Sequence, residues 1–187
     1  MPRCQLGKHV RLPFSSSTTA SSAIFDLIHC DLWTSPIIRN SGFRYYLVIV
    51  DDFSHYYWMF PLRNKSDAAI TLVNFFAYAR TQFSTTIRSL QTDNGTEFIN
   101  SAVNTLLNSS GSMLRLSCPY TSQQNGKAER AIRTINDTMR TIMFHAHAPS
   151  QFWAEALATA TYLLNRHPST AVKSRIPYTL LHGRSPP

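Results

Sequence analysis

Hydrophobic positions in this chain fall first into runs of alternating or continuous apolar residues and then into stripes spaced three and four apart. Three apolar runs come early, at 27–33, 43–52 and 55–61, separated by turn formers around Asn40-Ser41-Gly42 and 51–54. Short spacing between such runs predicts an antiparallel meander of three strands. Side chains alternate across a strand, so His29, Asp31 and Trp33 share one face of the first. Further strands are expected at 87–92, ending against Asp93, and at 113–118. Helical spacing appears after the potential cap Ser66-Asp67, with Ala69, Leu72, Val73, Phe76 and Phe83 on one side, and a short helix is expected at 101–107. A long amphipathic helix is predicted from Asn125 to about His145. Its inner stripe is Ala128, Ile132, Ile135, Met139 and Ile142, and its outer face carries Lys127, Arg130, Arg133 and Arg140. The last helix, 150–164, places Trp153, Ala156, Leu157, Ala160 and Leu164 together.

The element order is three strands, then helix, strand, helix, strand and two helices. That order predicts an α/β fold, ribonuclease H-like: a five-stranded mixed sheet, antiparallel meander plus parallel strands, flanked by helices. Residues 1–22 read as a flexible arm, since Arg3, Lys8, His9, Arg11 and the Ser/Thr cluster 15–19 offer little to a core. Residues 23–166 form the expected core, and 167–187 an irregular, Pro-containing tail.

Composition adds a partner class. Lys and Arg total 18 against 10 Asp and Glu, a formal charge of +8, which favours polyanionic partners such as nucleic acid or an anionic membrane. Cys4, Cys30 and Cys118 are too few and too scattered for a disulfide framework, pointing to a reducing, intracellular setting. No apolar run of membrane-spanning length and no signal-peptide segment is present in the sequence, so no membrane partner is expected.

Candidate chemistry rests on carboxylates. Phosphoryl transfer at a nucleic-acid backbone is assisted by two divalent ions held by hard oxygen ligands. Asp31 on the first strand, Asp93 at the end of the fourth and Glu129 early in the long helix stand at the ends of different elements, as such a site requires. Each has an ordinary explanation as well: a strand-end residue, an Asx-turn former before Asn94-Gly95, and a first-turn Glu favoured by the helix dipole. Asp51, Asp52 and Glu97 occupy similar settings, and spacing alone does not choose among the six.

Several stretches together resemble the integrase catalytic core of copia-type long-terminal-repeat retrotransposons, within the retroviral integrase superfamily. They are Leu27-Ile28-His29-Cys30-Asp31-Leu32-Trp33, the run from Tyr45 to Phe53, Gln91-Thr92-Asp93-Asn94-Gly95-Thr96-Glu97-Phe98, and the segment from Ser117 to Arg130. Phe152-Trp153-Ala154-Glu155-Ala156, Leu163-Leu164-Asn165-Arg166 and Pro177-Tyr178 with Leu180-Leu181-His182-Gly183-Arg184 continue the match in order. The 35 residues between Asp93 and Glu129 equal the spacing characteristic of that family.

The resemblance implies a DDE-type polynucleotidyl transferase, part of a Gag-Pol polyprotein, with Asp31, Asp93 and Glu129 as catalytic residues and ligands of two Mg²⁺ (or Mn²⁺) ions. It implies 3′-end processing and strand transfer of retrotransposon DNA by in-line displacement, without a Ser or Cys nucleophile. Cys30 and Cys118 are then small buried apolar residues. The implied partners are retrotransposon ends and target DNA, with further copies of the chain assembled on DNA, in the nucleus or a virus-like particle. Lys127, Arg130, Arg133, Gln124 and Asn125 are candidates for DNA contact, with Asn125 equally explained as a helix cap. Ser122 stands where the family usually has Pro, Thr34-Ser35 where Gly is common, and His55 where Arg is common; none is among the three carboxylates. Cys4 resembles the last cysteine of the family's His-His-Cys-Cys module, whose other ligands would precede Met1, so no zinc is expected here and the chain is expected to be a fragment. The competing readings are a catalytically idle, nucleic-acid-binding remnant and a ribonuclease H nuclease, which would need a different acidic set.

Overall fold

A computed structural model describes residues 21–36, 42–117 and 125–187. Residues 1–20 of the expected arm, Cys118, Ser122, Gln123 and Gln124 lie outside the described residues. Five strands form one sheet: β1 (Ile28–Thr34), β2 (Tyr45–Asp51), β3 (Tyr57–Leu62), β4 (Ser89–Thr92) and β5 (Met113–Leu116), in the order β3-β2-β1-β4-β5. β1, β2 and β3 pair antiparallel, and β4 and β5 extend the sheet in parallel from β1. The meander with two added parallel strands is the arrangement that the element order predicts.

Alternation along the central strands divides the interior in two. Ile28 and Cys30 with Leu47 and Ile49 point to the side covered by α1 (Asp67–Phe83) and α2 (Ser101–Ser110), where Leu72, Phe75, Phe98 and Val103 complete a core. Tyr46, Val48 and Val50 point to the other side, against Ala131, Ile135 and Met139 of α3 (Gly126–His145) and Trp153, Leu157 and Ala160 of α4 (Trp153–Arg166). Asp31 lies opposite Val48 in the antiparallel register and so shares the α3 face. Two polar residues fasten α3 and α4 to the sheet. The Tyr46 hydroxyl donates to Asn136 Oδ1 at 3.1 Å. Asn165, 2% exposed, accepts from the Tyr57 amide and donates to the Tyr57 carbonyl, both at 2.8 Å, satisfying backbone groups of edge strand β3.

The expected elements appear with their ends shifted by a few residues, and three details differ. Ser66 makes no side-chain cap on α1; instead Asp67 Oδ2 accepts from the Asn64 amide at 2.9 Å. The inner face of α1 is Ala68, Leu72, Phe75, Phe76 and Ala79, a phase that brings Phe75 under the sheet and leaves Ala69, Val73 and Phe83 only partly buried. The tail carries two short helical segments. A 3₁₀ turn at Thr170–Val172 leads to α5 (Pro177–His182), which starts with Pro at its first turn and stops at Gly183, whose φ of 68° suits a residue without Cβ. Pro177, Tyr178 and Leu181 are buried, and Leu181 belongs to the α1 side of the core. Leu181→Ala is therefore expected to cost about 2–4 kcal/mol, read by urea denaturation; a cost near zero would show that the tail contributes nothing to the core.

Candidate active site

The parallel pairing of β1 with β4 brings two carboxylates together. Ile28 pairs with Leu90 and His29 with Gln91, and the same offset carried two residues further sets Asp93 beside Asp31, on the same face. Asp93 follows the last residue of β4 and begins a tight turn. Its Oδ1 accepts from the Gly95 amide at 3.0 Å, an Asx turn, while Asn94 Nδ2 donates to the Ser117 carbonyl beyond β5 at 2.8 Å. Phe98, fully buried, anchors the other end of the segment. Gly95 leaves room for two side-chain carboxylates. A Cβ there would lie 2.8 Å from Glu97 Cδ, 2.9 Å from Glu97 Oε2 and 3.0 Å from Asp93 Oδ1. The Asp93 and Glu97 carboxylates therefore flank one backbone position. Gly95→Ala should push both away with little change in overall stability, and weaken divalent-ion affinity by about tenfold, the lower end of effects from displaced ligand supports. A Mn²⁺ titration followed by electron paramagnetic resonance checks this; unchanged affinity would exclude both side chains from the ion's surroundings.

The third carboxylate comes from α3. Ala128, Ala131 and Ile135 turn inward against β1 and β2, which leaves Glu129 and Arg130 on the exposed side at the helix start. Asn125 precedes this helix but does not cap it with its side chain. It is 2% exposed, and its Nδ2 donates to the Cys30 carbonyl at 3.0 Å. That turns the Asn125 amide nitrogen toward β1, while its buried Oδ1 has no hydrogen-bond partner among the described residues. Lys127 also differs from expectation: its ammonium is paired with Asp52, whose side chain is 2% exposed, although Lys127 itself is 29% exposed. Arg130 and Arg133 remain on the outer face as expected.

Electrostatics singles out Asp31. Burial, with the nearby charges of Asp93, Glu129 and Glu97, pushes its carboxyl up to about 7, against the opposing hydrogen bond from the Leu32 amide at 2.8 Å. The other two expected carboxylates thus bear on Asp31, as does Glu97. Among the described residues no three His, Cys, Asp or Glu side chains are drawn together tightly enough to hold a metal ion as they stand. The donor set nonetheless fits magnesium, which takes one or two carboxylates and keeps several waters. Divalent charge is also what the mutual repulsion at Asp31 lacks.

The rival carboxylates have other duties. Asp51 is fully buried and accepts from the Phe25 amide (2.7 Å), the Ser54 amide (2.8 Å) and the Ser54 hydroxyl (2.6 Å), holding the turn after β2. Asp52 accepts from His29 Nε2 at 2.7 Å, from the Ser21 amide at 3.1 Å and from Lys127. Burial opposes its charge, but the His29 and Lys127 bonds prevail and hold it far below the usual carboxylate range. His55, at a φ of 54°, is pushed down to about 4 by burial and by the Lys127 charge, so it is neutral near pH 7. Sequence reasoning kept Asp52 among the rival carboxylates, with turn formation as its ordinary role; the available signal was His29, which alternation puts on the same face of β1 as Asp31. Cys30 is fully buried and burial pushes its thiol up, which disfavours the thiolate a nucleophile needs.

The family model described as integrase core domain matches residues 22–122. The chain belongs to the integrase core domain family. It is 36% identical over 183 residues to the retrovirus-related Pol polyprotein from transposon RE1 of Arabidopsis thaliana, covering 98% of this chain and 12% of that protein. The Pol polyprotein from transposon TNT 1-94 of Nicotiana tabacum is 32% identical over 175 residues, covering 93% and 13%. This integrase core thus spans about an eighth of the curated relatives it matches. Among solved structures it is similar to a chain of the simian T-cell lymphotropic virus intasome in complex with PP2A regulatory subunit B56 gamma. The TM-score is 0.74 at 17% identity, over 96% of this chain and 62% of that one. The HTLV-2 integrase catalytic core domain in complex with magnesium gives a TM-score of 0.63 at 14% identity, over 86% and 99%. These likenesses establish the ribonuclease H-like fold expected from the element order. No described helix of this integrase core is long and apolar enough to cross a membrane.

Proposed function

We propose that this chain is the catalytic core of a retrotransposon integrase, joining DNA ends to target DNA by metal-dependent phosphoryl transfer. Asp31, Asp93 and Glu129 are its catalytic carboxylates. The observation that carries this reading is that Asp93, at the end of β4, and Glu129, in the first turn of α3, both bear on Asp31 in β1. Family membership and the magnesium bound by the HTLV-2 core support it. Two divalent ions held there supply activation of the attacking oxygen and stabilisation of the leaving oxygen.

The residues do the rest. Asp31 would hold the ions from the central strand β1, where its carboxyl is the most buried of the three. Asp93, fixed by the Asx turn, and Glu129, fixed by α3, complete the ligand set from either side. Glu97 flanks Asp93 and limits how far it swings. First a water attacks near the 3′ end of the retrotransposon DNA, and then the freed 3′ hydroxyl attacks a target phosphodiester. Each step is an in-line displacement with no protein nucleophile. Arg130 and Arg133 contact backbone phosphates. Second copies of the chain assemble on the DNA, in keeping with the intasome and the trimeric core among the similar structures.

Mn²⁺ binding tests the ligand assignment. Glu129→Gln is expected to weaken the affinity at least about tenfold, since loss even of a ligand's support has that effect; unchanged affinity would reject the assignment. Replacing Arg130 and Arg133 together by Gln should lower the salt slope of DNA binding by about two, one for each lost phosphate contact.

A further inference from the structure

The start of α3 is held by side chains rather than by a cap. Asn125 makes no capping hydrogen bond and instead reaches the Cys30 carbonyl, one residue before Asp31. Two residues later Lys127 pairs with Asp52, and the same Asp52 oxygen meets His29 Nε2, two residues before Asp31. The nitrogen facing a charged carboxylate carries the proton, so His29 donates from Nε2, and its buried Nδ1 has no hydrogen-bond partner among the described residues. Two bridges therefore connect the first turn of α3 to the two residues preceding Asp31, and Glu129 is two residues beyond Lys127 on that same turn. Both pass through side chains almost wholly out of water: Asn125 and the Asp52 and His29 side chains are 2%, 2% and 7% exposed.

From this geometry we infer that Asn125 and the Lys127–Asp52–His29 chain are positioning residues that set the separation of Glu129 from Asp31. The inference rests on the metal-dependent reading above. Lys127 acts here through Asp52, and not as a phosphate contact. The helix start needs such a device because a displacement of Glu129 by a fraction of an ångström is felt directly in ion affinity, whereas α3's inner stripe fixes only how the helix lies on the sheet. Lys127 suits the task because its long stem crosses the helix surface and delivers a donor to a buried carboxylate. Removing that donor leaves Asp52 charged with only His29 and the Ser21 amide as partners and frees the first turn.

The experiment uses the whole chain and three measurements: Mn²⁺ affinity, amide hydrogen exchange in the first turn of α3, and the salt slope of duplex DNA binding. Lys127→Met is expected to weaken Mn²⁺ binding by about tenfold and to speed exchange at residues 127–130, with the DNA salt slope unchanged; Lys127→Arg, which keeps the pairing, restores both. Asn125→Ser, read in the same way, weakens Mn²⁺ binding without touching the Lys127 bridge, and serves as the test should Lys127→Met fail to fold. Unchanged Mn²⁺ affinity in both variants would overturn the inference. So would a salt slope lowered by about one in Lys127→Met, which marks a phosphate contact. Failure of the wild-type chain to bind Mn²⁺ would instead overturn the metal-dependent reading on which the inference stands.

Discussion

Asp31→Asn is expected to abolish strand transfer while making the metal-free protein more stable above neutral pH. The sign follows from burial and like charge. The Asp31 carboxyl titrates near 7 in the folded chain against an ordinary value of 3.8. Between those values the folded state keeps a proton that the unfolded state has released, so stability falls as pH rises from about 4 to 7 and stays reduced above it. A displacement of this size corresponds to roughly 2–4 kcal/mol. Asn keeps an oxygen to accept from the Leu32 amide and carries no charge. Thermal melts without metal should therefore show a midpoint gain of about 4–16 °C for Asp31→Asn at pH 8 and almost none at pH 4. Divalent ions should stabilise the wild type at pH 8 and leave the variant unmoved, since a ligand that binds only the folded state raises its stability by mass action. Equal melts of the two proteins across the range would show that Asp31 faces no such cluster.

Asp51→Asn should do the reverse: a large loss of stability with no loss of metal affinity. Asp51 receives three donors in a fully buried turn. Replacing one carboxylate oxygen by an NH₂ group confronts a donor with a donor and strands it away from water. The expected cost is about 3 kcal/mol, a midpoint fall of about 6–12 °C. Mn²⁺ affinity, measured below the melting range, should match the wild type. A folded Asp51→Asn protein that had lost Mn²⁺ binding would make Asp51 a ligand and displace one of the three carboxylates from that role.

The strands and the long helices were legible because their apolar periods are strong and their separators are turn formers. Side-chain alternation correctly put His29, Asp31 and Trp33 on one face. The pairing of β1 with β4 was not legible, because a parallel register is set by packing between segments some sixty residues apart. That register is what places Asp93 beside Asp31. Glu129 emerged from residue resemblance and the spacing to Asp93, since a first-turn Glu is otherwise unremarkable. Asn125 looked like a cap from composition, yet the Cys30 carbonyl offers its side chain a buried partner that the sequence does not show. Lys127 sits on the polar side of α3 by helical phase, and only the length of its side chain lets it return to Asp52. The tail helix is six residues long, too short for a periodic stripe, although Pro177 and Gly183 marked its two ends.

The central claim is that Asp31, Asp93 and Glu129 together run phosphoryl transfer on DNA. Disintegration of a branched DNA substrate by the purified chain in Mn²⁺ tests it most directly, because this reaction asks only for the core and its ions. The account predicts released and rejoined DNA strands with the wild type, and product reduced at least about 100-fold by Asp93→Ala with folding and DNA binding retained. No product from a folded, DNA-bound wild-type chain, or product undiminished by Asp93→Ala, would contradict it.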